Sequence, residues 1–161
     1  MDALEAIRKR RSVRAYTGDA IPKEDLEKIV DAGRLAASGN NRQPWEFVVV
    51  TDRAMIEKLK VASEWMDKAG AIVAVVMDSS SRWWLEDGSA AVENILIAST
   101  ALGYGSCWLE GYTLRLEEQL KALLNVPKEK RLLTLVPIGV PVEWPTQGKK
   151  SLQEVIHWER Y

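Results

Sequence analysis

Residues 84–102, WLEDGSAAVENILIASTAL, form the segment that most limits how this chain can fold. They predict a helix whose apolar residues are not confined to one stripe, so the helix would be buried nearly all round. The whole chain, residues 1–161, has the length of one ordinary domain. One subunit of that size can hardly cover such a helix. The segment therefore predicts a homodimer with this helix at its centre.

Composition and charge argue against several classes of protein. The chain is 47% hydrophobic, which is enough for a core and argues against disorder. Its net charge of −1 creates no long-range field for nucleic acid or an anionic membrane. No run reaches the ~18 apolar residues that a membrane span needs. The start, MDALEAIRKRR, places acids before bases, unlike a signal peptide. The sequence therefore predicts a cytoplasmic protein.

Cysteine and histidine are too few for several kinds of site. The single Cys107 excludes an internal disulfide, and with only His157 beside it a Cys/His metal site is not expected. Cys107 is interpreted as a small buried hydrophobe, because no histidine base can be placed near it. The seven tryptophans are many for this length, so some are expected in the core or at a ligand or partner surface.

Helices and strands alternate without a strict βα repeat, which predicts an α+β fold with helices on a small sheet. Helices are predicted at 2–10, 22–37, 53–62, 84–102 and 113–124, with Asp2 and Thr113 as N-caps and Asn125 and Pro127 after the last. Apolar runs at 45–51, 70–78 and 132–141 predict three strands, the first two buried. Pro137 places the third at an edge or a bulge.

The stretch RKRRSVR (8–14) holds five cations within seven residues. Its ordinary explanation is a solvated helix end whose cations complement the helix dipole. The alternative is anion binding, because arginine forks fit phosphate or a carbonyl edge and Ser12 adds a hydroxyl. A nucleic-acid patch is weakly supported, since one basic cluster stands on a nearly neutral chain.

Three further stretches each have an ordinary structural explanation and an alternative in which they bind a ligand. SGNNRQPW (38–45) suits a helix C-cap and turn, but its amides also match a heterocycle edge with alternating donors and acceptors. The glycines of GYGSCWLEGY (103–112) suit a tight turn, or a close approach of backbone N–H groups to a flat ligand. QGKK (147–150) is a solvated tail, or a pair of lysines on a phosphate.

The motifs of protein-borne catalysis are missing from the sequence. It contains no G-x-G-x-x-G after a strand, no G-x-x-x-x-G-K-[ST] and no G-x-S-x-G. A Ser-His-Asp arrangement would have to use His157, near the last residue. If the protein is an enzyme, a bound cofactor is therefore expected to carry the reaction.

Taken in order, RRSVR, SGNNRQPW, GYGSCWLEGY and a basic pair before SLQEV resemble the nitroreductase family of FMN-dependent oxidoreductases. The resemblance covers roughly residues 4 to 158, and the combination is more specific than any one motif. It implies a small, mostly antiparallel sheet flanked by helices. It also implies a homodimer with FMN at the subunit interface and the long helix in its core.

The resemblance assigns ligand contacts residue by residue, with every cofactor-binding position given in this numbering. Arg10, Arg11 and Ser12 match phosphate and ribityl contacts, Arg14 the cation beside the pyrimidine ring, and Lys149 with Lys150 the C-terminal cations on the phosphate. Asn41 matches the amide that reaches the flavin from the partner subunit, with Gln43, Pro44 and Trp45 shaping its turn. Glu110 and Gly111 match the pair whose backbone N–H groups face flavin N5 and O4.

The function implied by the resemblance is a ping-pong reductase. NADH or NADPH delivers a hydride to flavin N5, and a nitroaromatic, quinone or other planar electron-poor acceptor takes the electrons. No side chain is expected to be catalytic, since Arg14 and the backbone of Glu110 only tune the flavin. The alternatives are a flavin-binding protein without turnover, serving storage or sensing, and an anion- or nucleic-acid-binding dimer without flavin.

The sequence departs from the family pattern at several positions. Lys149 stands where arginine is frequent, and Glu93-Asn94 replaces a frequent Gln-Asn. Residues 63–70 and 79–83 are too short for the helices that cover the flavin in larger relatives, so an open site is expected. Trp83, Trp84 and Trp108 could line it by stacking, or could pack in the core.

Overall fold

An antiparallel sheet of four strands forms the centre of the chain, whose residues 1–161 are all described by a computed structural model. The strands are β1 (Trp45–Val50), β2 (Ala71–Met77), β3 (Gly105–Ser106) and β4 (Arg131–Gly139), in the spatial order β1-β2-β4-β3. The helices are α1 (Ala3–Lys9), α2 (Lys23–Arg34), α3 (Arg53–Leu59), α4 (Trp84–Ala101), α5 (Glu110–Arg115) and α6 (Glu117–Leu124). The predicted α+β fold with a small antiparallel sheet is confirmed.

The sheet separates two apolar cores. Side chains alternate across a strand, so β2 contributes Ile72 and Ala74 to one core and Val73 and Val75 to the other. The first core packs under α3 and α6, and the second packs under α2 and α4. Because β2 is covered on both faces, all seven of its residues are buried. No helix of the chain has the length and apolar character needed to cross a bilayer.

Two strand predictions need correction. The first strand was expected to be buried, but β1 lies at the sheet edge, and Glu46 and Val49 are exposed on it. Pro137 was expected at an edge or bulge, but β4 lies between β2 and β3. The chain from Gly105 to Leu109 covers β4, since Cys107 N donates to the Pro137 carbonyl at 3.2 Å. The one register shift lies opposite Val75 and Val76 of β2, where Leu133 is the extra residue of β4, so β4 does contain a bulge but Pro137 is not in it.

Three helix predictions also need correction. The second helix ends at Arg34, before the predicted 37, because the chain turns into the 38–43 loop. The third helix, α3, ends at Leu59, before the predicted 62. The predicted helix 113–124 is two helices, α5 and α6, which meet at Leu116. Thr113 is therefore not an N-cap: it is buried inside α5, where its hydroxyl donates to the Leu109 carbonyl. The caps at Asp2 and Asn125 are confirmed.

Helix α4 is confirmed over 18 residues, but one chain does not bury it all round. Its buried positions recur at helical spacing and form one face, made of Asp87, Gly88, Ala91, Val92, Ile95, Leu96, Ser99 and Thr100. The opposite face is only half-buried and includes Ala90, Glu93, Asn94 and Ile97. The apolar surface of this helix thus exceeds what the chain itself covers, which leaves a second subunit as an expectation.

Candidate functional site

The stretches RKRRSVR (8–14) and GYGSCWLEGY (103–112) lie side by side in the fold. Val13 N donates to the Ser106 carbonyl at 3.0 Å, and Ser12 forms a parallel bridge with Ser106. This approach requires Gly105, because a Cβ there would lie 2.7 Å from the Val13 side chain. The fold therefore brings RKRRSVR and GYGSCWLEGY together, as is required if both stretches contribute to one flavin site.

The C-terminal stretch reaches the same place. Arg11 Nε donates to the Gln147 carbonyl at 2.8 Å, and Lys9 Nζ lies 5.0 Å from the centre of the Trp144 ring. Lys149 and Lys150 follow within three residues of Gln147, and both are exposed. Three of the four predicted stretches thus converge within one chain.

Arg11 is largely used by the chain itself. Besides Gln147, its Nη1 donates to the carbonyls of Arg8 at 2.9 Å and Arg10 at 2.7 Å. These carbonyls end α1, so the ordinary explanation, a cation at a helix C-terminus, holds for Arg11. Its Nη2 makes no hydrogen bond within the chain and is the one guanidinium nitrogen left for a ligand.

Arg10 and Arg14 make fewer polar contacts within the chain than Arg11 does. Arg10 makes one ion pair, from its Nε to a Glu93 carboxylate oxygen at 3.4 Å. Arg14 is exposed and pairs with no carboxylate of the chain. Arg14 and Ser12 line a cavity of about 380 Å³ with Trp144 and Gln147, in which Glu143 is the only acid. The cavity therefore presents a cation and a hydroxyl to anything that enters it.

Cys107 lies at the meeting point of these groups. Burial raises the pKa of its thiol, and Arg14, a hydrogen bond with Ser12, and Arg10 oppose that rise. The net effect is a protonated, buried thiol, which agrees with the interpretation of Cys107 as a small hydrophobe. The same opposing causes indicate that Ser12, Arg10 and Arg14 all lie near one point.

Two buried polar atoms beside this point have no partner in the chain. They are Ser106 Oγ and Trp108 Nε1, on either side of Cys107. Buried polar groups are nearly always hydrogen-bonded, so each unpaired one calls for a reason. Neither residue lines the cavity beside Arg14, so the two atoms mark strain in the packing there and are assigned no ligand.

Glu110 and Gly111 begin helix α5. The first N–H groups of a helix have no intrahelical acceptor, so theirs are available to a ligand. Gly111 is exposed, and a Cβ there would meet no atom within 4 Å. These two residues follow Leu109, whose N–H is bonded to the Leu135 carbonyl at 3.0 Å. The hydrogen bond between Leu109 and β4 thus fixes the position of the two N–H groups that follow it.

The 38–43 loop is held in an unusual conformation. Asn40, Asn41 and Gln43 all have positive φ, of 53°, 55° and 51°. Gln43 N donates to Ser38 Oγ at 3.0 Å, and Gln43 Nε2 donates to the Asn41 carbonyl at 3.1 Å. Positive φ in non-glycine residues concentrates at functional sites, where the surroundings maintain it. The side-chain amide of Asn41 is exposed and makes no hydrogen bond within the chain.

This loop does not meet the other three stretches within one chain. Gly39 N donates to Asp87 Oδ1 at 2.8 Å, in the first turn of α4, whereas Arg10 pairs with Glu93, in its third turn. Six residues of helix correspond to ~9 Å of rise and ~240° of rotation. Asn41 and Gln43 are therefore held at a different face of α4 from Arg10, and the predicted set does not close within one chain.

The largest cavity of the chain lies away from the cations. It is a half-open groove of about 990 Å³ between α2 and the edge strand β1, and Gln43 is the only predicted site residue that lines it. Its walls are mainly apolar, with Leu26, Trp45 and Phe47, and charged residues of α2 form its rim. The groove offers no convergent polar groups, so the cavity beside Arg14 is the better candidate despite its smaller volume.

Sequence reasoning missed several residues that shape the site. Asp87 anchors the 38–43 loop, and Glu93 pairs with Arg10. Ser106 and Trp108 carry the unpaired polar atoms. A signal was present for Asp87, because it shares the helical spacing of Ala91 and Ile95 and so marks an acid on a buried face. No sequence signal indicates the unpaired atoms, because their lack of a hydrogen-bond partner depends on which residues pack around them.

Comparison with known proteins gives a consistent result. A model described as the nitroreductase family matches residues 7–71 and 57–140. A protein of Archaeoglobus fulgidus, provisionally named an NADH dehydrogenase/NAD(P)H nitroreductase, is 40% identical over 151 residues, which cover 87% of this chain and 86% of the relative.

Solved structures share the fold. A Bacteroides thetaiotaomicron protein, given the same provisional name, superposes with a TM-score of 0.90 and 32% identity over 99% of this chain and 98% of its own. A nitroreductase with bound FMN from Bacteroides fragilis superposes with a TM-score of 0.79 and 28% identity, over 94% of this chain and 95% of its own.

Proposed function

Because this chain belongs to the nitroreductase family, we propose that it is an FMN-dependent oxidoreductase that uses NADH or NADPH as its electron donor. The observation that carries the proposal is the convergence of three distant stretches, through the Val13–Ser106 and Arg11–Gln147 hydrogen bonds. The relative with bound FMN supports the choice of cofactor. The acceptor is an electron-poor planar compound, such as a nitroaromatic or a quinone.

The residues present suit FMN. A phosphate needs cations and N–H or O–H donors, which Arg10, Ser12 and the Nη2 of Arg11 supply together with Lys149 and Lys150. A heterocycle edge needs hydrogen-bonding partners, which match the N–H groups of Glu110 and Gly111.

When bound, FMN would supply the redox chemistry between the nicotinamide and the acceptor. The chain would position and tune that chemistry. Arg14 would hold a positive charge beside the flavin ring and so favour its reduced state. The backbone N–H groups of Glu110 and Gly111 orient the ring edge, and no side chain is assigned a proton-transfer role.

The active form is a homodimer in which Asn41 of one subunit completes the site of the other. Within one chain the 38–43 loop contacts a different face of α4 from the cations, which supports an arrangement in which a second copy supplies the amide. The half-buried face of α4, with Ala90, Asn94 and Ile97, would be covered in the same dimer. Asn41 has positive φ and a free amide, which suits a recognition residue held ready for a ligand.

The flavin site is open on its substrate side. Residues 63–70 pack inward, with Met66 and Ala69 fully buried, and so cannot act as a lid. Residues 79–83 are a short turn in which Ser81 is buried and Trp83 packs on Gly39. An open site accepts flat compounds of different size, which supports a broad class of acceptors.

The first test is the visible absorption spectrum of the freshly purified full chain, with chromatography of any released flavin. The proposal expects FMN, bound or taken up on addition, and oxidation of NADH or NADPH with a nitroaromatic or a quinone. A chain that binds FMN but turns over no acceptor is instead a storage or sensing protein. A chain that fails to bind FMN contradicts the proposal, and salt-dependent DNA binding by that chain would support the anion-binding alternative.

A further inference from the structure

Glu93 is the only acid that pairs with a cation of RKRRSVR. Its carboxylate oxygen lies 3.4 Å from Arg10 Nε, and the side chains of Arg10 and Glu93 are 17% and 47% exposed. Nε makes this ion-pair contact, and neither terminal nitrogen of Arg10 makes a hydrogen bond or an ion pair within the chain. Arg10 can therefore still bind a phosphate, but it does so with a carboxylate beside it.

We infer that Glu93 weakens the hold of the chain on the phosphate of FMN and thereby keeps the flavin exchangeable. The inference rests on the proposed function, in which Arg10 is a phosphate ligand. It assigns to Glu93 a role in cofactor affinity and none in the chemistry.

Charge explains the direction of the effect. A phosphate monoester carries a charge of about −1.5 to −2 near neutral pH, and its attraction to Arg10 is partly cancelled by the carboxylate on the other side of the guanidinium. Glu93 is half-exposed in the single chain, where solvent reduces the repulsion, but the repulsion acts at a distance shorter than the screening length of ~10 Å in 0.1 M salt.

A stabilising role for Glu93, in which it orients Arg10, is smaller than this repulsion. Arg10 is already held by its own surroundings: its side chain is mostly buried, and its backbone N–H donates to the Ala6 carbonyl at 2.8 Å. Glu93 therefore restricts the Arg10 side chain little further, so its removal would change the orientation of Arg10 only slightly. The charge effect therefore dominates.

The other cations near the site cannot readily replace the attraction to phosphate that Glu93 takes from Arg10. Arg11 uses Nε and Nη1 on three backbone carbonyls. Lys149 and Lys150 are exposed on a segment without regular structure, so ordering them on a ligand costs side-chain entropy. Arg10 is thus the best-placed phosphate ligand of the chain, and partial neutralisation of its charge affects affinity directly.

The test compares FMN with riboflavin, which lacks the phosphate, in the full-length chain and in Glu93→Gln. Glutamine keeps the size and polarity of the side chain and removes only its charge. Each flavin-loaded protein is serially diluted, and the fluorescence of the released flavin gives the Kd. We expect the Kd for FMN to fall about three- to tenfold and that for riboflavin to change by less than about twofold.

Two further variants sharpen the result. Glu86→Gln removes an exposed charge two turns earlier on the same face of α4 and should leave both Kd values unchanged. In an Arg10→Gln background, the effect of Glu93→Gln should largely disappear. An unchanged or raised Kd for FMN in Glu93→Gln, or an equal change for riboflavin, would overturn the inference. A wild-type chain that holds neither flavin would overturn the proposed function together with it.

Discussion

The backbone N–H of Gly39 donates a 2.8 Å hydrogen bond to Oδ1 of Asp87, which joins the 38–43 loop to the first turn of α4. Asp87 is 5% exposed, and its second carboxylate oxygen has no partner in the chain. A Cβ on Gly39 would overlap the Trp83 ring, so the loop is held against the helix from two sides. A buried acid thus anchors the loop that carries Asn41.

Loss of the Asp87 carboxylate should destabilise this anchor. Asp87→Ala leaves the Gly39 N–H without its acceptor, and we expect the free energy of unfolding to fall by about 1–3 kcal/mol. Asp87→Asn keeps an amide oxygen as acceptor and should cost less. Urea unfolding of the two variants gives the comparison. The exposed neighbour Glu86→Ala serves as the control, and equal losses for all three would refute a specific anchor.

A shared site predicts complementation between two defective subunits. Arg14→Ala and Asn41→Ala should each lower turnover about tenfold or more, because each removes a group that positions the flavin. In a mixed dimer of the two variants, one site carries both changes and the other carries none. Mixing tagged and untagged subunits and isolating the mixed dimer should therefore restore up to half of the wild-type turnover.

The control for complementation is a doubly substituted chain, Arg14→Ala with Asn41→Ala. Paired with a wild-type subunit, it gives one altered group at each site and should remain poorly active. If the mixed dimer of single variants stays inactive, Asn41 and Arg14 act in sites of the same chain, and the dimeric arrangement proposed above is wrong.

Cys107 should be dispensable and slow to react. Burial raises the pKa of its thiol above the ordinary value, the Arg14 charge only partly opposing this, so little thiolate exists near neutral pH. A disulfide reagent that colours on reaction should label native protein slowly and urea-unfolded protein at once. Cys107→Ala should retain turnover to within about twofold. Rapid native labelling, or a large loss of turnover, would give Cys107 a chemical role.

Glu117 should contribute stability that disappears in acid. Burial tends to raise the pKa of its carboxyl, but bonds from Arg131 at 2.7 and 2.9 Å and from Leu132 N at 2.9 Å outweigh it, so the pKa is lowered. A group with a lowered folded-state pKa stabilises the fold above its unfolded pKa, and that stabilisation is lost as pH falls through the folded value.

Glu117→Gln should therefore lower the free energy of unfolding by about 1.5–3 kcal/mol at pH 7. The difference from wild type should shrink below pH 4.5, the ordinary value of this carboxyl. Urea unfolding at stepped pH measures both quantities. Glu129→Gln, an exposed acid without an ion pair, is the matched control. A difference that persists unchanged into acid would contradict the lowered pKa.

The sequence alone determined the local elements with strong periodicity and the order of the four candidate ligand-binding stretches. Helix α4 and strand β2 were found within a residue or two, because their apolar runs and flanking signals are local properties. Asp2 and Asn125 were identified as caps for the same reason, since a cap bonds within its own turn.

Only the tertiary structure decided the relations between distant residues. Pro137 is shielded inside the sheet because a two-residue strand, too short for any periodic signal, pairs beside it. The bond of Arg11 to Gln147 joins positions 136 residues apart, and Asp87 and Glu93 have their partners 48 and 83 positions away. Such contacts depend on how elements pack, which propensity and spacing do not specify, and so the sequence could nominate candidate site residues but not their geometry.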